Sequence, residues 1–108
     1  MTYQKLVRDR IPERIRAAGQ TPITRILELA EYHSELEKKL AEECAEFIAD
    51  PTAEEAGDIL TVLQTIAELE GISLQMIIEA AEKKRMSHGG FEERIYLESV
   101  DTKATKTN

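Results

Sequence analysis

Three residues, Asp50-Pro51-Thr52, constrain this chain more than any others, because they separate two long helical patterns with room only for a tight reversal. From Ala30 to Ala49, Leu36, Leu40, Cys44 and Phe47 recur at i, i+4, i+8 and i+11, and Ile48 widens the stripe. This is the period of one helix face. A second apolar face, of Ala56, Ile59, Leu60, Leu63, Ile66, Ala67 and Leu69, runs to Glu70. Proline has no N–H and cannot continue a helix, yet its fixed φ suits the first turn of the next one. Thr52-Ala53-Glu54-Glu55 reads as a capping box, T-x-x-E, in which the threonine hydroxyl satisfies an orphan N–H. The expected result is an antiparallel helix hairpin.

Gly71 ends the second helix, and Ser73 is expected to cap a third. That helix carries Leu74, Ile77, Ile78 and Ala81 inward and stops before Gly89-Gly90. Before the hairpin, Asp9 is expected to cap a short helix with Pro12 in its first turn and Gly19 at its end. Two short segments alternate: "TPITRIL" at 21–27 reads as a strand or an extended arm, and "FEERIYLESV" at 91–100 as a second strand that can pair with it. The expected fold is all-α: a helical hairpin plus a third long helix in an oligomeric bundle, with a small two-stranded β accessory. One domain covers residues 1–100, followed by a flexible polar tail at 101–108.

With 108 residues, 42% of them hydrophobic but only 5% aromatic, the core has to be built from Leu, Ile, Val and Ala. Helices of this size bury little alone, so a homodimer or homotetramer is expected to cover the remaining apolar stripes. The net charge of −7 disfavours duplex nucleic acid and anionic membranes, whose affinity comes from neutralised phosphates. It leaves open a small phosphorylated ligand bound through a metal. Cys44 is the sole cysteine, so no internal disulfide forms. Helix-interior burial makes Cys44 a core residue rather than a nucleophile. "MTYQKLVRDR" lacks the apolar stretch of a secretory signal and no apolar run reaches spanning length, so a cytoplasmic location is expected.

The acids carry the chemistry. Glu43 and Glu46 are spaced i, i+3 before the turn, and Glu55 and Asp58 are spaced i, i+3 after it. In an antiparallel hairpin centred on Asp50-Pro51, facing residues have numbers summing to about 101. Glu46 then opposes Glu55, and Glu43 opposes Asp58. Carboxylates this close repel one another unless a cation lies between them. An oxygen-only set without histidine suits Mg²⁺, Mn²⁺ or Ca²⁺. The plainer reading is a solvated acidic face relieved by Lys38 and Lys39, with Glu55 occupied in the capping box. Against it, these acids border the buried stripe, where unpaired charge is costly. Gly57, inside a helix, points to close helix contact or ligand approach. His33 and His88 have no E-x-x-H partner, which disfavours a di-iron carboxylate bundle.

"KLAEECAEF" followed by "EEAGDIL" resembles the E-x-x-E and E-x-x-D motifs of the MazG-like all-α nucleotide pyrophosphohydrolases. "KLVRDRIPE", "TPITRIL" and "GGFEERIYLE" are similar to the phosphoribosyl-ATP pyrophosphohydrolase-like branch. The resemblance implies Mg²⁺-dependent hydrolysis of a nucleoside triphosphate, or a related nucleotide, to the monophosphate and pyrophosphate. It implies Glu43, Glu46, Glu55 and Asp58 as metal ligands, Glu43 and Glu46 thereby being catalytic, and Glu42 as a second-shell acid or water-orienting base. Lys5, Arg8, Arg10, Lys39, Lys84 and Arg85 are candidates to neutralise the triphosphate, and the Gly89-Gly90 backbone can approach phosphate or simply end a helix. The alternative is a non-catalytic nucleotide-binding or helical adaptor protein on the same fold.

Overall fold

The computed structural model describes residues 4–102. Four helices follow in order: α1 Ile11–Ala17, α2 Leu29–Ala49, α3 Ala53–Leu69 and α4 Leu74–His88. The chain divides into two compact units, Met1–Leu74 and Gln75–Asn108.

In the first unit, α2 and α3 pack against each other. Their connection is Asp50-Pro51-Thr52, so they form the antiparallel hairpin. Thr52 is the N-cap of α3, and its hydroxyl accepts from the Glu55 N–H at 3.1 Å. Glu55 does not return the bond to the Thr52 N–H among the described residues, which leaves its carboxylate for other use. Losing this cap in Thr52→Ala is expected to cost about 1 kcal/mol, read as a lower urea midpoint at unchanged slope. The far end of α3 is closed by Gly71 in the left-handed region (φ 76), with Ile72 N–H donating to Ala67 O at 2.9 Å and Gly71 N–H to Glu68 O at 3.1 Å. His33, near the start of α2, lies 3.5 Å from Glu70 beyond the end of α3 and 3.3 Å from Glu37.

The buried apolar core of the described residues is Leu36 on α2 with Val62 and Ala67 on α3. Leu40, Cys44, Phe47, Ile59 and Ile66 are half-buried. Ile48, expected in the stripe, is 79% exposed. Ala56, Leu60 and Leu63 are exposed as well, and so is Leu69 in the last turn of α3. Ahead of the hairpin, α1 has Pro12 in its first turn as expected, but Arg10 rather than Asp9 occupies the N-cap, without a side-chain bond.

The β accessory is absent: the described residues contain helices and no strand. Within 91–100, Arg94 adopts φ 59 and its N–H closes a turn onto Phe91 O at 3.2 Å. A left-handed residue interrupts the alternation a strand needs. In 21–27, Ile23 and Ile26 are 98% and 95% exposed, and the segment is held instead by Arg25, which donates to both carboxylate oxygens of Glu31 at 3.1 and 2.8 Å. That fork holds the Glu31 carboxyl below the usual carboxylate range and the guanidinium above its own.

In the second unit, Ile77 is half-buried while Ile78 and Ala81 are exposed. Gly89 (φ 84) ends α4, its N–H donating to Arg85 O at 2.8 Å. The expected tail falls mostly at 103–108, outside the described residues.

Candidate metal centre

Residues three and four apart share a helix face, and the hairpin register turns two such faces toward each other. Glu43 on α2 meets Glu55 and Asp58 on α3, with carboxylate oxygens of all three within 4.8 Å of one another. A second triplet at the same spacing, Glu42, Glu43 and Glu46, runs along α2 and shares Glu43. Glu43 is the one buried charged residue described, at 6% exposure, while Glu55 and Asp58 are half-buried and Glu42 and Glu46 exposed. The four acids of the expected rectangle therefore divide: Glu43, Glu55 and Asp58 converge, and Glu46 joins them through Glu43.

Burial pushes the Glu43 carboxyl up, and the neighbouring charges of Glu46, Asp58 and Glu42 push it further, against the opposing pull of Lys39. Glu55 is raised by partial burial first, then by Glu46, Asp58 and Glu43. Raised values mean that the folded state keeps protons the unfolded chain has lost. Without metal, these two groups therefore contribute stability that is present below the ordinary value of 4.5 and is lost as pH climbs through the raised values. Urea melts in EDTA from about pH 4.5 to about pH 7 should give a shallower stability loss for the double variant Glu43→Gln/Glu55→Gln than for the natural chain.

Both triplets offer only oxygen, with one donor shielded from water. This set fits a hard divalent cation, and either cluster can hold a metal ion. Two side chains supply local counter-charge. Arg8 reaches from the segment before α1 to Asp58, Nη2 to Oδ1 at 2.7 Å. Lys39 lies 3.2 Å from Glu42 and 3.6 Å from Glu43.

The remaining expected binding residues fall in both units. Lys5 and Lys39 line a cavity of about 110 Å³ together with Leu6, Lys38 and Glu42, beside the second triplet. Arg10 is an exposed residue at the N-cap of α1. Lys84 and Arg85 belong to the second unit, where they line a cavity of about 420 Å³ with Gly89, Gly90 and Phe91. Arg85 is 3.4 Å from Glu92, and this pair lies over Gly90, where a Cβ would collide with it. With the Gly89 N–H used to end α4, the two glycines serve the loop geometry. Gly57 is exposed with nothing within 4 Å of a Cβ placed there, so it accommodates no close neighbour.

Val62 escaped the sequence reading. It lies four residues after Asp58 and seven after Glu55, on the line the acids define, and extending that line by whole turns would have found it. No helix of the described residues is long and apolar enough to cross a membrane.

No family model matches the chain, and no solved structure matches it. A Mycolicibacterium smegmatis protein described as uncharacterized is 54% identical over 52 residues. The match covers 48% of this chain and 53% of that protein, so the chain spans about half the length of the curated relative it matches.

Proposed function

We propose that this chain is a Mg²⁺-dependent nucleotide pyrophosphohydrolase of the MazG-like all-α type, close to the phosphoribosyl-ATP pyrophosphohydrolase-like branch. The observation that carries the reading is the meeting of Glu43, Glu55 and Asp58 across the hairpin, with Glu43 removed from water. Like charges gathered at a buried position are unfavourable unless a cation compensates them. When bound, Mg²⁺ or Mn²⁺ would draw phosphate oxygens to the site and offset the charge that develops there. The chain's own residues then have separate tasks. Glu43, Glu55 and Asp58 hold the cation, and Glu46 extends the set along α2. Glu42, exposed beside them, would accept a proton from an attacking water. Lys39 and Lys5, which line the neighbouring cavity, would take phosphate charge, with Arg8 and Arg10 as further cations. The products are the monophosphate and pyrophosphate.

The protein works as a homodimer or homotetramer in the cytosol. Support for assembly comes from Leu60 and Leu63 on one face of α3, which are 45% and 37% exposed, and from Leu69 on another face in its last turn, 39% exposed. Light scattering on a sizing column should give a mass of at least two chains.

Pyrophosphate release from canonical, deoxy and modified nucleoside triphosphates and from phosphoribosyl-ATP tests the activity, with Mg²⁺ and with EDTA. Metal-dependent release from at least one of them is expected, falling at least tenfold in Glu46→Gln, a substitution that removes one charge beside Glu43. Silence across the whole set would reject the enzyme. A nucleotide-dependent rise in melting temperature would then mark a binding protein, and its absence a helical adaptor.

A further inference from the structure

We propose that Arg8 is a built-in competitor of the divalent cation: its guanidinium holds Asp58 while the metal is away and releases it when the metal binds. The inference rests on reading the Glu43–Glu55–Asp58 triplet as a metal centre. The Arg8–Asp58 contact is the shortest ion pair of the described residues, 2.7 Å, and it ends on an acid of that triplet. A charge-assisted bond of this length engages Asp58 Oδ1 and places the guanidinium charge beside the carboxylate that a cation would share. A cation taking the same oxygen would also face the guanidinium charge at close range.

The exchange is cheap on the arginine side. The Arg8 side chain is 56% exposed, so once released it is hydrated rather than buried and unpaired. Lys39 has a different position: its partners Glu42 and Glu43 lie on its own helix, and it ties no other segment to the site. Arg8 alone of the two joins residues outside the helices to the triplet. Gln4, Lys5 and Leu6 of that same segment line the cavity shared with Lys39 and Glu42. Metal arrival would therefore loosen one wall of this cavity and free a guanidinium beside it. Linkage is reciprocal, so the factor by which Arg8 weakens metal binding is the factor by which metal weakens the Arg8–Asp58 pair.

The test is calorimetric titration of the EDTA-stripped full chain with Mn²⁺. Arg8→Gln should bind Mn²⁺ about fivefold more tightly than the natural chain, the size expected for one partly exposed ion pair. Arg8→Lys should fall between the two. Arg25→Gln, which removes the same charge from the Arg25–Glu31 pair, should stay within about twofold and so excludes a net-charge effect. Hydrogen exchange at the amides of residues 5–9 should quicken when Mn²⁺ is added to the natural chain and be fast from the start in Arg8→Gln. Unchanged or weaker Mn²⁺ binding in Arg8→Gln overturns the proposal while leaving the metal centre standing. No Mn²⁺ binding by the natural chain overturns both.

Discussion

Glu43→Gln is expected to make the metal-free protein more heat-stable and the metal-loaded protein inactive. Glutamine keeps the shape of the side chain and removes the charge that burial and three acidic neighbours oppose. Relief of about 1 kcal/mol would raise the melting temperature by roughly 4 to 8 °C in a domain of this size. The same change removes the one carboxylate common to both triplets. Pyrophosphate release should drop about a hundredfold or more, as when a preorganised charge-stabilising group is lost. Added Mg²⁺ should raise the melting temperature of the natural chain and leave that of the variant in place. Differential scanning fluorimetry in EDTA and in Mg²⁺ reads both halves. A variant that melts earlier in EDTA would show that Glu43 supports the hairpin through its charge, contrary to the repulsion argued here.

Leu36→Ala should be the most damaging apolar substitution. Leu36 is 4% exposed and is the only buried apolar residue that α2 contributes to the described core. Truncating a buried leucine costs about 2 to 5 kcal/mol, through lost transfer energy and the cavity left behind. A small domain has about 5 to 15 kcal/mol in total, so a large share of the stability would go. Ile48→Ala, at 79% exposure, should cost under about 1 kcal/mol. Urea denaturation of the two variants measures the difference. Equal losses would show that the outer side of α2 is covered in solution and that the single chain understates its core.

The hairpin was legible because its signals are local and agree. Pro51 forbids continuation, Thr52 caps, and the apolar period holds on both sides. The acids were legible because their spacing matches the helix and the short turn leaves one register. What failed depended on information a periodic pattern does not contain. Residues 91–100 alternate like a strand, yet Arg94 takes a left-handed conformation in their midst. Residues 21–27 alternate as well, but a ladder needs a second backbone, and Arg25 anchors the segment through its side chain instead. On α3, Leu60 and Leu63 are as apolar as Val62, yet they are exposed and Val62, on the acid-bearing line, is buried. Composition does not separate them; the packing of α2 on α3 does. Arg8 was legible as a basic group near a site, but its place on Asp58 joins residues 50 apart in sequence.

Glu43 belongs to both acid triplets, and this has a consequence for how the molecule would fill with ions. Two ions held there would draw on a single carboxylate, so the second would meet a group already polarised and a neighbour already charged. Loading would be stepwise, and a titration curve would depart from the simple hyperbola of independent sites. The cross-talk needs no moving part between the clusters, because the shared residue is itself the connection.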